Sequence, residues 1–376
     1  MSKSYYSLGL MSGTSMDGVD ASVIQTDGKS KYKAILDKYF EYPKNIYNNL
    51  TTLRDKIKRS KDLKKHQKQI KSVEKEITIF HAKAVNEILK KKKTNIDFIG
   101  FHGQTIFHNK AEKISKQLGD GKLLSKLTKK TVIYDFRQND LRNGGRGAPL
   151  APIFHQFIVK QIKVNLPVTI LNIGGIANYT YIKNYKLKDV IASDIGPGNC
   201  LIDEWIRKKT KNKFDNKGLI AKKGKIDKIS LEAIDFYNSQ VFNYIKSGND
   251  KNWKPKLSFD IKDFKFLDSF NELSLEDGAA TLTELTSRRL DCIIHSDKEK
   301  IILCGGGRKN NFLVEKLKKK SKKIKLIDDY GINGDFVESQ AFAYLAIRSF
   351  LKLPISFPST TGCKKPCTGG VIIKNF

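Results

Sequence analysis

The chain has 376 residues, of which 39% are hydrophobic, and its formal net charge is +31. This length and apolar content predict two domain-sized cores. No apolar run approaches the roughly 18 residues of a membrane span, and no charged and then apolar leader follows Met1, so a membrane partner and a secretory signal are not expected. We therefore predict a cytoplasmic location.

The net charge has three interpretations: a nucleic-acid surface, attraction of anionic substrates, or a Lys-rich coat. The basic residues are mostly Lys, whereas base reading and bidentate phosphate contacts favour Arg. The Lys runs at 64–75, 90–93 and 316–325 fall in helical patterns, where charge is usually a solvated face. We favour a Lys coat without a nucleic-acid partner, and keep nucleic-acid binding as an alternative.

The five cysteines are an odd number scattered along the chain, which argues against a disulfide framework. Cys363 and Cys367 lie close together in the string CKKPC. Without a second pair or a nearby His in the sequence, they argue against a metal site.

The first polar stretch, residues 9–20, reads GLMSGTSMDGVD and lies between two apolar runs. It predicts a strand, a Gly-rich turn and a second strand, in which the hydroxyls of Thr14 and Ser15 accompany exposed N–H groups. Asp17 suits magnesium riding on a bound phosphate, because hard cations take oxygen ligands. The alternative is an ordinary Gly-containing hairpin, since neither a Walker nor a Rossmann pattern is present.

The rest of the first half adds candidate ligand-binding residues. His102 and Gln104 follow a predicted strand at 97–101, at the carboxyl end where open α/β sheets bind ligands. A satisfied structural histidine is the alternative for His102. The glycine-rich loop at 143–149 and Arg137 offer close backbone approach and fixed positive charge. We predict further strands at 33–42 and 131–136, and helices at 45–57, 68–89 and 150–159.

The second half begins after Pro167 and repeats the strand, Gly turn and strand pattern at 168–182. A predicted strand at 189–192 leads to Asp194 and a Gly-Pro-Gly-Asn turn. This repetition predicts a duplicated domain with a ligand gripped between the copies. We predict helices at 201–208, 229–244, 275–294 and 335–350.

Three successive glycines at 305–307 follow a predicted strand at 300–304. Such a backbone could approach a flat base or ribose closely. A plain strand-to-helix turn is the alternative.

Together these strings resemble the anhydro-N-acetylmuramic acid kinases, within the actin, sugar-kinase and heat-shock chaperone ATPase superfamily. The resemblance spans nearly the whole chain, in the family's order. The strings are GLMSGTSMDGVD at 9–20, GFHGQTIFH at 100–108, DFR at 135–137, GGRGAPLAPIFH at 144–155, NIGGIANYTYI at 172–182, DIGPGNCLIDEW at 194–205, DGAATLTELT at 277–286, CGGGRKN at 304–310, ESQAFAYLA at 338–346 and TTG at 360–362.

The resemblance implies an α/β, two-domain actin-like ATPase (ribonuclease H-like) fold, with duplicated mixed sheets, flanking helices and an interdomain cleft. Residues 1–165 would form the domain with the first phosphate hairpin. Residues 166–376 would form the domain with the catalytic Asp and the nucleoside turn, and the last segment is able to pack back on the first domain. It also implies a homodimer.

The implied enzyme uses ATP and Mg2+ to phosphorylate the 6-oxygen of 1,6-anhydro-N-acetylmuramic acid while water opens the anhydro bridge. The product would be N-acetylmuramic acid 6-phosphate, in peptidoglycan recycling. The family's base matches Asp194, for which a helix N-cap is the alternative, and Asp17 would face the metal. His102, Gln104 and Arg137 are the substrate-side candidates. The cofactor-binding candidates are Gly13, Thr14, Ser15, Met16, Asp17, Gly18, Val19, Asp20, Gly196, Gly198, Asn199, Gly305, Gly306, Gly307, Asn310 and Glu338.

One departure from the family lies at residues 255–260, where Leu257 is inserted into a Pro-Lys-Ser segment and leaves the substrate range open. Three rivals remain at this point: an actin-like or chaperone-like ATPase module, a glucose-type sugar kinase, and a nucleic-acid binder.

Overall fold

The computed structural model describes residues 3–91, 95–234, 264, 268–294 and 300–376. They divide into two compact units. Unit 1 comprises residues 1–164, 185–191 and 335–376, and unit 2 comprises residues 165–184 and 192–334. The chain thus returns to unit 1 for its last segment. The departure at 255–260 lies outside the described residues.

Unit 1 contains a seven-stranded mixed sheet. Its first three strands form an antiparallel meander, and the fourth and sixth strands continue the sheet in parallel with the first. The strands are β1 Tyr5–Ser12, β2 Gly18–Thr26, β3 Tyr32–Glu41, β4 Phe98–Asn109, β5 Ile114–Leu118, β6 Thr131–Tyr134 and, at the end of the chain, β12 Val371–Ile373.

The helices of unit 1 cover this sheet. The helix spanning Val337–Phe350 is buried almost throughout, and it packs so closely that a Cβ on Gly9 would lie 1.9 Å from the Ser339 carbonyl oxygen. Glycine on β1 is therefore required by helix–sheet contact. The helices are α1 Lys44–Lys56, α2 Ser60–Lys65, α3 Gln67–Lys91, α4 Gly121–Thr128, α5 Gln138–Arg142, α6 Pro152–Gln161, α10 Val337–Phe350 and α11 Pro358–Thr361.

Unit 2 contains a five-stranded mixed sheet. Its strands are β7 Val168–Ile173, β8 Ile176–Ile182, β9 Val190–Pro197, β10 Lys300–Cys304 and β11 Ile324–Leu326. Its helices are α7 Cys200–Lys209, α8 Leu275–Asp291 and α9 Asn311–Lys320, and residues 228–234 are also helical. Apolar residues of α8 and α9 pack on the sheet and on α7.

The two sheets share one strand order. In unit 1 it runs β3-β2-β1-β4-β6, and in unit 2 it runs β9-β8-β7-β10-β11. In both, an antiparallel hairpin opens the sheet and a later strand joins the first hairpin strand in parallel. The predicted duplicated α/β fold with mixed sheets and flanking helices is confirmed.

Several predicted element boundaries were wrong. The strand predicted at 131–136 ends at Tyr134, and the helix predicted at 275–294 ends at Asp291. The helix predicted at 229–244 is described only as far as residue 234, and its remainder lies outside the described residues. The strand predicted at 97–101 runs to Asn109, because β5 pairs with its second half. His102 and Gln104 therefore lie within β4 and not beyond its end. The strand predicted at 189–192 extends to Pro197, which places Asp194 inside β9. The helix predicted at 335–350 begins at Val337. Among the described helices, none combines the length and the apolar character of a membrane span.

Candidate active site

The turn between β1 and β2 is the first part of the candidate site, in unit 1. The Met16 N–H donates to the Gly13 carbonyl over 3.2 Å, and Met16 takes a left-handed φ of 58°. Gln104 Nε2 donates to the same carbonyl over 2.9 Å. The Ser15 hydroxyl donates to Asp17 Oδ1 over 2.6 Å. Gln104 of β4 therefore fixes the turn by a hydrogen bond, and the turn places the Ser15 hydroxyl beside the Asp17 carboxylate.

The residues predicted to bind nucleotide in this hairpin separate into two groups. Thr14 and Ser15 are exposed and Asp17 is half-buried. Met16 and Val19 are buried in the core, so only their backbone can face a ligand. The Val19 side chain is buried because it lies on the face of β2 that packs into the core, and the Met16 side chain is buried in the same core from its place in the turn.

A buried polar network supports the end of β1 beneath this turn. The Ser12 hydroxyl lies 2.9 Å from the Tyr42 hydroxyl and 3.2 Å from His81 Nε2. His81 Nδ1 donates to the Ile77 carbonyl over 2.7 Å. Burial lowers the pKa of His81 to about 4, so the ring is neutral and its Nε2 accepts a hydrogen bond from the Ser12 hydroxyl. The network fixes the backbone that enters the turn.

His102 and Arg137 form the second part of the site in unit 1. His102 Nδ1 donates to the Gly103 carbonyl over 2.8 Å, which leaves Nε2 as an acceptor for Arg137 Nη2 at 2.8 Å. Burial, reinforced by the Arg137 charge, holds the pKa of His102 well below its ordinary value. Arg137 Nη1 also donates to the Gly147 carbonyl over 2.8 Å. A neutral histidine and the glycine-rich loop thus aim one guanidinium.

Glu338 lies in the first turn of α10, in unit 1. Burial raises the pKa of its carboxyl, and the charge of Arg137 opposes that shift. The charge that acts on Glu338 is therefore that of Arg137, which was predicted to bind the substrate. The expected place of Glu338 in the cofactor-binding set stays a prediction.

A cavity of about 210 Å³ opens beside His102. Its polar lining comes largely from β5 and from the start of α5, two elements that were not predicted from the sequence. Gln138 Nε2 donates to the Ser115 carbonyl over 2.7 Å, and Lys116 pairs with Glu74 at 2.8 Å. The sequence pattern gave no signal for β5 or α5, so this lining was not predicted. The residues that line the cavity are Phe101, His102, Ser115, Lys116, Gln117, Gly119, Tyr134, Asp135 and Gln138.

The glycine turns of unit 2 converge on one another. The Gly198 N–H donates to the Gly175 carbonyl over 2.9 Å, and the Asn199 N–H donates to the Gly174 carbonyl over 2.8 Å. A Cβ on Gly198 would lie 2.2 Å from the Gly174 carbonyl oxygen. Thr286 of α8 donates to the Gly198 carbonyl over 3.0 Å. The second hairpin and the turn at 196–199 are thus one backbone assembly.

The three glycines at 305–307 join the same assembly. Gly305 has a φ of 78°, and a Cβ on Gly307 would lie 2.2 Å from Ile173 Cγ2 and 3.0 Å from Asn199 Oδ1. A Cβ on Gly306 would meet no atom within 4 Å. Gly305 and Gly307 are therefore required by packing, whereas the absence of a side chain at Gly306 has no packing reason.

Two residues next to these glycines hold the turn. Arg308 is almost fully buried and binds Asp328 through two hydrogen bonds of 2.6 and 2.8 Å, while its Nη1 donates to the Gly305 carbonyl over 3.1 Å. Asn310 caps α9, because its Oδ1 accepts from the Leu313 N–H at 3.0 Å. Asn310 was predicted to flank the nucleoside, and its side-chain oxygen Oδ1 is already bonded to the helix as this cap.

Asp194 lies near the end of β9 and is half-buried. The N-cap of α7 is Asn199, so the structural alternative of a helix cap at Asp194 is excluded. The carboxylate is borne by a regular strand directly before the glycine assembly of unit 2.

Comparison with known proteins identifies these features. The family model for anhydro-N-acetylmuramic acid kinase matches residues 5–375. The chain belongs to the anhydro-N-acetylmuramic acid kinase family. An enzyme of this name from Pelagibacter ubique is similar over 386 aligned residues at 53% identity, with 100% of both chains covered. Another from Zymomonas mobilis is 38% identical, with 97% of this chain and 98% of the relative covered.

This kinase is therefore a phosphotransferase with an alcohol group as acceptor and a small-molecule sugar as substrate, and ATP is the phosphoryl donor that membership of a kinase family implies. Component A of the Acidaminococcus fermentans (R)-2-hydroxyglutaryl-CoA dehydratase is a weaker structural likeness. It is 13% identical over 92% of this chain and 98% of that chain, with a TM-score of 0.44. The duplicated strand order carries the description of the fold without it.

Proposed function

We propose that this kinase transfers the γ-phosphoryl group of ATP to the 6-oxygen of 1,6-anhydro-N-acetylmuramic acid as water opens the anhydro bridge. The product is N-acetylmuramic acid 6-phosphate, which places the reaction in peptidoglycan recycling. The observation that carries this proposal is the family match across residues 5–375. The glycine assembly in unit 2 and the His102–Arg137 pair in unit 1 give the chemistry a physical basis.

Asp194 serves as the general base. It takes a proton from water as the water oxygen bonds to the anomeric carbon, and the bond from that carbon to the 6-oxygen breaks. The freed 6-oxygen attacks the γ-phosphorus, and ADP leaves. Because Asp194 is carried by β9 and not by a flexible loop, its carboxylate keeps a fixed direction toward the water.

Arg137 binds the lactyl carboxylate of the sugar. A guanidinium matches a carboxylate with parallel N–H groups, and its plane is set here by His102 Nε2 and the Gly147 carbonyl. His102 acts as an acceptor that positions Arg137, because its neutral ring cannot repel the guanidinium. Gln104 has a buried Oε1 without a hydrogen-bond partner in the described structure, so this atom offers an acceptor for a sugar hydroxyl.

Each unit has one candidate turn for phosphate oxygens, at residues 13–17 in unit 1 and at residues 196–199 in unit 2. Backbone N–H groups in glycine-rich turns suit phosphate oxygens. The exposed hydroxyls of Thr14 and Ser15 and the carboxylate of Asp17 are oxygen donors of the kind that Mg2+ prefers. Asp17 would hold Mg2+, which neutralises charge on the transferred phosphoryl group when bound. Gly306 faces the nucleoside.

Substitution of Asp194 tests the proposal. Asp194→Asn should lower kcat by about 10²- to 10⁴-fold, the contribution of a positioned general base, while the affinity for ATP is kept. Asp189→Asn, just before the same strand, is the matched control and should keep full turnover. A coupled assay of ADP release with the anhydro sugar measures both, and retained turnover in Asp194→Asn would remove this residue from the base role.

A panel of sugars separates this reaction from the glucose-type alternative. ADP release should require the anhydro sugar and should be negligible with glucose. Turnover without any sugar would favour an actin-like or chaperone-like ATPase instead. We also propose a homodimer, a cytoplasmic location, and the assignment of units 1 and 2 to the two actin-like domains; light scattering of the purified chain tests the dimer.

A further inference from the structure

Three metal-binding side chains that are distant in sequence meet in unit 1. The carboxylate of Asp140, in α5, and the thiols of Cys363 and Cys367 place their ligand atoms within 4.8 Å of one another. All three residues are buried, with exposed fractions of 1%, 2% and 4%. No part of the proposed kinase reaction uses this cluster.

The backbone around the cluster is ordered by its own hydrogen bonds. Ser356 and Cys367 form an antiparallel bridge, in which the Cys367 N–H donates to the Ser356 carbonyl over 3.0 Å. Cys363 follows Gly362, whose φ of 75° ends α11. The Lys364 N–H donates to the Asn143 carbonyl over 3.0 Å. The two thiols are therefore presented from a fixed turn rather than a loose tail.

The remaining polar atoms point to a ligand. The Asp140 oxygens accept from the Gly147 N–H at 2.7 Å and from the Thr361 hydroxyl at 2.6 Å, and each carboxylate oxygen has a second lone-pair site. The hydroxyl of Ser356 is buried, and it interacts with the Cys367 thiol at the edge of the cluster.

We propose that Cys363, Cys367 and Asp140 bind one thiophilic divalent ion, with Zn2+ as the natural occupant and the Ser356 hydroxyl toward the fourth position. Two thiolates and a carboxylate select Zn2+ over harder cations such as Mg2+. The three-residue spacing of Cys363 and Cys367 lies within the range of structural zinc sites. Each thiol releases its proton when the metal–sulfur bond forms, including the Cys367 proton now donated to the Lys365 carbonyl.

The ion would fasten the C-terminal segment to the loop that aims Arg137. The Arg146 N–H already donates to the Thr361 carbonyl over 3.0 Å, and its Nη2 donates to the Thr360 carbonyl over 2.8 Å. The Gly147 backbone lies between Asp140 and Arg137, since its N–H contacts the carboxylate and its carbonyl contacts the guanidinium. The sequence predicted no metal at CKKPC because it shows no further ligand nearby. The third ligand, Asp140, lies in a helix more than 200 residues earlier in the chain.

Cobalt substitution tests the site without relying on kinase activity. The full chain, reduced and then treated with a chelator, is titrated with Co2+ alone, and absorption from thiolate-to-cobalt charge transfer is recorded. We expect one Co2+ per chain, displaced by Zn2+. Cys363→Ser and Cys367→Ser should each weaken binding by at least about 100-fold, since loss of an outer partner already costs about 10- to 100-fold. Asp140→Asn should weaken it while leaving the thiolate signal at saturating Co2+.

Cys292→Ser is the matched control, because Cys292 is exposed and lies in unit 2; it should keep the signal intact. Absence of charge-transfer absorption in the folded wild-type chain would overturn the proposal, as would a signal that persists in both the Cys363 and the Cys367 variants. Recovery of the unreduced chain without metal and lighter by two hydrogens would also overturn it, in favour of a disulfide between these thiols.

Discussion

The two units share a strand order but differ in the chemical groups that lie at the ends of their strands. In unit 1 the candidate residues are polar side chains: Asp17 lies in the turn at residues 13–17, His102 lies in β4, and Arg137 directly precedes α5. In unit 2, the equivalent hairpin and the glycine turns offer mainly backbone, held in place by Arg308. A common topology fixes where the chain turns, whereas the residues at those turns decide which chemical groups each unit presents.

The largest expected difference between the units is their response to acid. In unit 1, burial lowers the pKa of His81 and His155 to about 4 and that of His102 well below its ordinary value. The unfolded chain binds these protons below about pH 6.5 and the folded chain does not, so stability present above that pH is lost as the pH falls toward 4. The loss is about 1.4 kcal/mol per pH unit for each histidine.

Urea denaturation between neutral pH and pH 4 should show this loss in the free energy of unfolding. His81→Gln should reduce the slope of the unfolding free energy against pH by the equivalent of one proton. An unchanged slope would contradict the lowered pKa of His81. The described residues of unit 2 contain no histidine, so hydrogen exchange should locate the acid-induced opening in unit 1.

The ion pair of unit 2 provides the next test, because its two partners are unequally buried. The Arg308 side chain is 4% exposed and that of Asp328 is 39% exposed. Asp328→Asn leaves the buried cation without its carboxylate and should lower the free energy of unfolding by about 3–5 kcal/mol. Arg308→Met should cost less, because the remaining Asp328 carboxylate can be hydrated. Asp329→Asn is the neighbouring control, and equal losses in the two partner variants would refute this asymmetry.

Arg137→Lys tests the side-chain site of unit 1. Lys keeps the charge but loses the planar fork that contacts His102 and Gly147. Loss of charged hydrogen bonds costs about 1.5–3 kcal/mol, so KM for the anhydro sugar should rise roughly 10- to 100-fold while KM for ATP is kept. Arg142→Lys, at the exposed end of α5, should leave both values unchanged. An equal rise in KM for ATP would show that Arg137 does not serve the sugar.

Gly306→Ala tests the backbone site of unit 2 with the smallest change. The added methyl group meets no protein atom within 4 Å, so stability should be unaffected. If the nucleoside packs there, crowding of about 1 kcal/mol should raise KM for ATP about five-fold. Gly13→Ala is the matched change in unit 1, because a Cβ on Gly13 would also lie clear of other atoms, with Ser15 Oγ the nearest at 3.8 Å. An unchanged KM for ATP in Gly306→Ala would remove the nucleoside from this turn.

The elements that could be predicted from the sequence are those with local signals. Both hairpins follow from paired apolar runs about glycine turns, and the strand before Gly305 follows from a short apolar run bounded by glycines. The family resemblance was predicted from the same strings and is confirmed. The roles of Asp194, His102 and Arg137 stay predictions, because a role depends on a bound ligand.

The sequence by itself determined the two hairpins, the glycine turns and the family, because each motif that carries them lies within about 20 consecutive residues. Only the tertiary structure decided that Met16 is buried, that Asp194 lies within β9, that the buried Glu338 feels the charge of Arg137, and that Asp140 meets Cys363 and Cys367. These facts depend on which distant segments pair and pack. Hydrophobic periodicity marks the face that a segment buries, but it does not name the partner against which that face is buried.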